Sequence, residues 1–139
     1  MSKTSLFLLA GIIFLFLVVL AIIFRPSSTT TSYSPVENSG GEVDVKVTPL
    51  ILQAGERPRV EIEFNTPSAE LDFDVSAVSS LTDDSDNADT SSTWEGSPPG
   101  GHHREGILTF SSPLKSTSSV NLILRDISGI AARQFSWTI

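Results

Sequence analysis

The chain has 139 residues, of which 40% are hydrophobic, and it carries sixteen acidic against nine basic side chains, a formal net charge of −7. This length favours one domain, and the negative charge disfavours nucleic acid as a partner because phosphates would be repelled. The chain contains no cysteine, which excludes disulfides, thiolate metal sites, a cysteine nucleophile and a lipid-modified cysteine anchor.

The first element in chain order is an apolar run of nineteen residues, Leu6–Phe24, without a charged side chain. A helix of this length is about 28 Å long, close to the roughly 30 Å hydrocarbon core of a bilayer. The alternative is a cleaved signal peptide, whose apolar region is usually shorter and ends at a small-x-small site. This run ends instead at Arg25-Pro26. We therefore predict an uncleaved transmembrane helix over residues 6–24, through which the protein is held in the membrane.

The charges that flank the apolar run predict its orientation. Lys3 and the amino terminus precede the run, and Arg25 alone follows it closely. Positive charge is retained on the cytoplasmic side of membranes, so residues 1–5 are predicted to be cytoplasmic. The C-terminal part is then extracytoplasmic, and the protein is a single-pass protein of the cell membrane.

Residues 25–41 are dominated by Ser, Thr, Pro and Gly, a composition that is typical of a flexible tether. Residues 42–139 are predicted to form the domain. They contain fifteen Asp and Glu against seven Lys and Arg, a net charge of −8.

Within this domain, apolar and polar residues alternate with a period of two, as in half-buried strands. Turn-forming residues such as Ser128-Gly129 separate the alternating runs. The predicted strands lie at Val43–Val47, Val60–Phe64, Leu71–Val75, Ile107–Phe110, Val120–Leu124 and Phe135–Ile139. Six or seven short strands in about a hundred residues predict an all-β fold, an immunoglobulin-like antiparallel β-sandwich, preceded by one N-terminal transmembrane helix.

The stretch from Trp94 to Phe110 contains Trp94-Glu95-Gly96, then Gly100-Gly101-His102-His103, then Gly106-Ile107-Leu108-Thr109-Phe110. It resembles a set of uncharacterised prokaryotic domains, membrane-anchored or exported, that share a W-x-G, GGHH and G-x-L-x-F pattern. Leu71–Asp74, Leu122–Gly129 and Phe135–Trp137 extend the similarity to about seventy residues. The resemblance implies a β-sandwich in the cell envelope and brings no activity with it.

The spacing Gly101-His102, Gly106 and Phe110 is also similar to the late segment of periplasmic copper-resistance proteins of the CopC type. In that family, a histidine of this segment binds copper together with an aspartate two residues earlier. Here Gly100 occupies that earlier position. The resemblance therefore implies a copper ligand at His102 alone.

His102 and His103 are the two histidines of the chain. Imidazole is the commonest transition-metal ligand, so the pair is a candidate site for copper or zinc. Neighbouring residues on a strand point to opposite faces, however, and a firm site needs three or four ligands. The alternative is that one ring caps the preceding Pro-Pro-Gly-Gly loop while the other is exposed. In that case the protein has no cofactor.

The acidic run Asp83–Asp89 could supply oxygen ligands to calcium. It lacks the turn glycine of the EF-hand order, because Asp89 stands at the sixth position counted from Asp84. The alternative is the tip of a hairpin, where Asp, Ser and Asn stabilise turns.

Trp137 is predicted in the core, because Phe135, Trp137 and Ile139 are spaced by two as on one buried face. Trp94 stands beside turn residues and could lie either in the core or on a recognition surface.

The sequence contains no phosphate loop, no H-E-x-x-H motif and no nucleophile elbow, so we do not expect an enzyme. The leading hypothesis is a non-catalytic module of the cell envelope that binds a protein partner or has a structural role. Metal binding through His102 or His103 is one alternative. A second is an accessory subunit of a membrane protein complex.

Overall fold

Short strands with one apolar face form two antiparallel sheets in the computed structural model, which describes residues 32–85, 87–115 and 118–139. The strands are β1 (Val36–Gly40), β2 (Val43–Ile51), β3 (Arg59–Asn65), β4 (Ser79–Asp83), β5 (Ala88–Asp89), β6 (Ser92–Gly96), β7 (His103–Phe110), β8 (Ser119–Ile127) and β9 (Ile130–Thr138), and a short helix, α1 (Val75–Val78), precedes β4. The first sheet has the order β1-β2-β3-β7-β6 and the second has the order β5-β4-β8-β9. The predicted all-β fold built from antiparallel sheets is confirmed.

The core lies between the two sheets because each long strand places every second residue inward. On β3, for example, Val60, Ile62 and Phe64 are fully buried, while Glu61 faces water. Trp137 is 7% exposed and belongs to this core, as predicted. Ile139 is 39% exposed, so its predicted place on the buried face is wrong. The reason is that β9 ends at Thr138, one residue earlier.

Two hairpin turns meet at one end of the sandwich. Gly41 and Glu42 join β1 to β2, and both have positive φ (56° and 64°). Ser128 and Gly129 join β8 to β9 in the same way (49° and 76°), at the turn that the sequence predicts. These dihedrals suit two-residue hairpins because their twist matches that of the strands. The turns touch, since the Ser128 hydroxyl donates to the Gly41 carbonyl.

The segment Leu71–Val75 was predicted as a strand, and that prediction is wrong. Leu71 and Val75 are buried, but the backbone between them is irregular and leads into α1. Asp74 caps α1 by accepting a hydrogen bond from the Ser76 amide at 2.9 Å. The alternating apolar residues therefore belong to a partly buried crossover from the first sheet to the second.

The folded unit begins at Ser32, ten residues before the predicted boundary at Glu42. The predicted tether, 25–41, includes residues 36–40, which form β1 and pair with β2 from Val36↔Val47 to Gly40↔Val43. Sequence composition missed this strand because its residues are mostly small or polar.

The predicted anchor at Leu6–Phe24 lies outside the described residues. Across residues 32–85, 87–115 and 118–139, no helix is long and apolar enough to span a membrane.

Candidate functional site around the histidine pair

The histidines follow a loop that is tied to the crossover segment by main-chain hydrogen bonds. The Gly100 amide donates to the Leu71 carbonyl at 2.8 Å, and the Leu71 amide donates to the Gly101 carbonyl at 3.1 Å. The Thr66 amide donates to the His102 carbonyl at 3.0 Å. Gly100 and Gly101 have φ of 111° and 77°, a conformation that favours glycine. The loop is therefore held in place by the backbone and not by the histidine rings alone.

The His102 ring is exposed and lies against the crossover segment. Its Nδ1 is 3.1 Å from the Ala69 carbonyl oxygen, so Nδ1 carries the proton in that contact. Nε2 of a neutral ring then keeps a lone pair. This is the arrangement expected of a loop-capping imidazole, and it is also one that could bind a metal through Nε2.

The His103 ring lies on the outer face of β7 and contacts two polar side chains. Its Nδ1 is 2.6 Å from Asn65 Oδ1, on the neighbouring strand β3. Its Nε2 is 3.6 Å from Glu105 Oε2. The two rings thus have different partners. Among the described residues, no group of three or more His, Asp or Glu side chains is placed to hold a metal ion.

Arg104 follows the pair and is the central side chain of this region, although sequence analysis did not single it out. It is 1% exposed. Its Nη1 donates to the carbonyls of Leu71 (2.9 Å) and Phe73 (2.7 Å), and its Nη2 donates to the Ser97 carbonyl (3.3 Å). One guanidinium therefore joins the crossover segment to the loop before the histidines.

Aromatic rings surround the Arg104 guanidinium. Its Cζ lies 5.3 Å from the centroid of the Phe73 ring and 5.9 Å from that of Trp94. Burial lowers the pKa of Arg104, whereas the nearby Asp74 carboxylate raises it. Arginine remains protonated after such a change, so Arg104 brings a permanent positive charge under the loop. A signal for it was present in the sequence, because Arg104 is in phase with the inward residues Leu108 and Phe110.

Trp94 lies on the inner face of β6, half-buried, with its ring centroid 6.4 Å from that of Phe64. Its Nε1 donates to the Ser97 carbonyl at 3.0 Å. The indole lies against Gly96 and Gly106, which face each other across β6 and β7. A Cβ at Gly106 would be 2.6 Å from the Gly96 Cα, so neither position has room for a side chain. The Trp-x-Gly and Gly-x-Leu-x-Phe motifs therefore have a packing explanation.

The described residues of the acidic run lie at the end of β4, in the following turn and in β5, and the carboxylates of Asp83 and Asp84 accept hydrogen bonds from the backbone. Asp83 Oδ1 accepts from the amides of Ser85 (2.9 Å) and Asn87 (3.1 Å). Asp84 Oδ2 accepts from the Ser118 amide at 2.9 Å. Burial raises the pKa of Asp83, but the hydrogen bonds from Ser85 and Asn87 together outweigh it and leave the pKa lowered. These contacts are those of the hairpin tip that sequence analysis gave as the alternative to a calcium loop.

An open groove of about 460 Å³ lies beside Trp94 and Arg104. Trp94, Pro98 and Pro99 line it, together with Asp74, which caps α1, and Ser76 in α1. It is shallow and open to solvent, so it suits a peptide segment better than an enclosed small molecule.

Comparison of the chain with protein-family models, with curated proteins and with solved structures finds no match.

Proposed function

We propose that this protein is a membrane-anchored, extracytoplasmic β-sandwich module that is not an enzyme and that binds a protein partner in the cell envelope. The anchor is residues 6–24, with the amino terminus in the cytoplasm. The proposal includes an immunoglobulin-like arrangement of the strands. The orders β2-β3-β7-β6 and β4-β8-β9 correspond to the ABED and CFG sheets of immunoglobulin constant domains.

The proposal rests on hydrogen bonds that join the beginning of the domain to its end. Trp137, on β9, donates from Nε1 to the Ser34 carbonyl at 3.1 Å. Arg133, on the same strand, donates from Nη1 to the Asn38 carbonyl at 3.2 Å and from Nη2 to the Gly40 carbonyl. The segment that leads in from the proposed anchor is therefore part of the sandwich.

This fastening shortens the proposed tether to residues 25–31. Even when fully extended, seven residues reach only about 25 Å. A tether this short suits a partner that also lies in or on the membrane. An accessory subunit of a membrane complex, the second alternative, is compatible with the same arrangement.

Metal binding through His102 or His103, with Cu or Zn, stays a separate hypothesis. It depends on Nε2 of His102 and on ligands beyond the two histidines.

Membrane extraction and limited proteolysis of the full-length protein test the proposed function. We expect the protein to stay in the membrane fraction after a carbonate wash. We also expect external protease to release a fragment whose first residue lies between 26 and about 33, because β1 is protected by its pairing with β2 and by its bonds to β9. A soluble mature protein that begins near residue 26 without any protease treatment would contradict the anchor.

A further inference from the structure

The outer edge of β6 exposes main-chain hydrogen-bonding groups. β6 is the last strand of the first sheet, and no other described strand pairs with its far side. The bonds that flank the β6–β7 ladder run from Ser97 N to Glu105 O and from Ser111 N to Ser91 O. Because bonding alternates along an antiparallel ladder, Thr93 and Glu95 direct their main-chain groups to β7. The amides and carbonyls of the other three residues, Ser92, Trp94 and Gly96, therefore point outward.

The opposite edge of the same sheet is β1. At that edge β1 contacts β9, where Arg133 donates to the carbonyls of Asn38 and Gly40. An unprotected edge is a template for strand addition, and folded proteins normally cover it or blunt it. β6 lies beside the open groove lined by Trp94, which favours it as the edge at which a partner strand can be added.

The groove next to this edge contains buried polar atoms without partners. Ser92 Oγ and Arg104 Nε are both buried, and neither has a hydrogen-bond partner among the described residues. Both residues line the groove, and Arg104 is 99% buried. Buried polar atoms are nearly always satisfied in proteins. A segment in the groove would reach these atoms only after the side chains that cover them move, and it could then supply a donor to the hydroxyl and an acceptor to the Arg104 Nε–H.

The charges around the edge define the chemistry of that segment. The Glu95 side chain on β6 is exposed, and the exposed Asp74 is one of the residues that line the groove. The region 42–139 as a whole has a net charge of −8. Trp94, Pro98 and Pro99 supply an apolar surface in the groove. Basic and apolar side chains in alternation fit this surface, because successive residues of a strand point to opposite faces.

We propose that the β6 edge and its groove bind an extended, basic segment of a partner protein, which is added to the first sheet as a further strand. Its apolar side chains pack on Trp94, and its Lys or Arg side chains lie near Glu95. The inference rests on the proposed function, since it names the surface through which the module binds its partner.

The test uses the full-length protein in detergent micelles and a short blocked peptide of alternating lysine and valine. Amide hydrogen exchange is followed residue by residue with and without the peptide. We expect the amides of Ser92, Trp94 and Gly96 to slow by about tenfold or more when the peptide is saturating. The amides of Thr93 and Glu95 should change little because they already bond to β7. A peptide of alternating glutamate and valine should give no protection.

Two variants with the same change of charge sharpen the result. Glu95→Lys should weaken binding of the lysine peptide by about threefold to tenfold. Glu61→Lys is the matched control: Glu61 lies in the same cross-strand row, paired through Ile107, but two strands away from the edge. It should change the affinity by less than about twofold, because salt screens charges beyond roughly 10 Å. Ser92→Pro removes an outward amide without touching the ladder and should also weaken binding.

Three results would overturn the proposal. The first is no protection at the three outward amides with either peptide. The second is equal loss of affinity in Glu95→Lys and Glu61→Lys. The third is protection without peptide that rises with protein concentration, which would assign the edge to a second copy of the chain. None of these results would contradict the proposed function of an anchored, extracytoplasmic module. A cytoplasmic location of the domain would contradict that function but not the binding of a strand at the β6 edge.

Discussion

Arg133, near the C-terminus, donates hydrogen bonds to both oxygens of Asn38, the main-chain carbonyl at 3.2 Å and the side-chain Oδ1 at 3.0 Å. The two residues are 95 positions apart in the chain. Arg133 is fully buried, and within the described part of the chain its charge is balanced by these oxygens, the Gly40 carbonyl and the more distant Asp44. Burial lowers its pKa and Asp44 raises it, and the guanidinium remains charged. The contact joins the first strand of the domain to the last.

Arg133→Ala should therefore lower the free energy of unfolding by about 2–4 kcal/mol. The carbonyls of Asn38 and Gly40 would lose the Arg133 guanidinium as a hydrogen-bond donor at a buried position. Relative to the parent, hydrogen exchange in the variant should speed up more in β1 than in β3. Arg125→Ala is the control, since Arg125 is exposed on the neighbouring strand β8, and it should change stability by less than about 0.5 kcal/mol. Urea unfolding of both variants measures the difference. Equal stability of the two would mean that β1 is not held by Arg133.

Gly106→Ala should destabilise the domain by about 1–3 kcal/mol or more, the usual cost of forcing extra atoms into a packed site. The added Cβ would be 2.6 Å from the Gly96 Cα and 2.7 Å from the Trp94 indole. Gly40→Ala is the matched control, since a Cβ there would be 3.6 Å from the Ile130 side chain, an ordinary contact. Thermal unfolding compares the two. If Gly106→Ala melts with the parent, the indole does not lie over the glycine pair.

Asp83 should make the stability of the β4–β5 turn depend on pH in the acid range. Its pKa in the folded protein is lowered from the ordinary value of 3.8. A carboxylate with a lowered pKa contributes stability above its unfolded pKa, and this contribution is lost as the pH falls through the folded pKa. The difference in melting temperature between the parent and Asp83→Ala should therefore be constant above about pH 5 and shrink below about pH 4. Asp72→Ala, at an exposed position outside this turn, serves as the control. If the difference in melting temperature between the parent and Asp83→Ala persisted at the lowest pH, the ionised Asp83 carboxylate would not be its cause.

The metal hypothesis can be decided by calorimetry with Cu(II) and Zn(II) on the parent, His102→Ala and His103→Ala. We expect no saturable binding at one ion per domain, because the two rings have different partners and a firm site needs three or four ligands. His102→Ala should instead cost about 1 kcal/mol of stability through the lost bond to the Ala69 carbonyl. One ion bound per domain near neutral pH, abolished by His102→Ala without loss of stability, would favour the metal site.

Sequence patterns predicted the strands whose inward residues are apolar, such as β3 with Val60, Ile62 and Phe64, because burial of one face imposes a period of two. They missed β4, β5 and β6, and also β1, whose inward positions include Asn38 and Gly40. That strand is stabilised by a partner far along the chain, which no local pattern reveals.

The candidate site was predictable only in part. The loop at Gly100-Gly101 follows from its composition, and His102 and His103 do lie beside it. The importance of Arg104 could not be judged locally, because its partners are carbonyls of an irregular crossover that the apolar alternation made look like a strand. A charged residue in phase with inward residues is the signal to look for.

Cysteine labelling tests the outward location of the domain most directly, because the chain has no cysteine of its own. Ala131→Cys places a thiol at an exposed position of β9, and Ser2→Cys places one ahead of the proposed anchor. In intact spheroplasts, a membrane-impermeant maleimide should label Ala131→Cys fully, and it should label Ser2→Cys only after the membrane is opened. Labelling of Ser2→Cys alone in intact spheroplasts, with Ala131→Cys protected until lysis, would contradict the account.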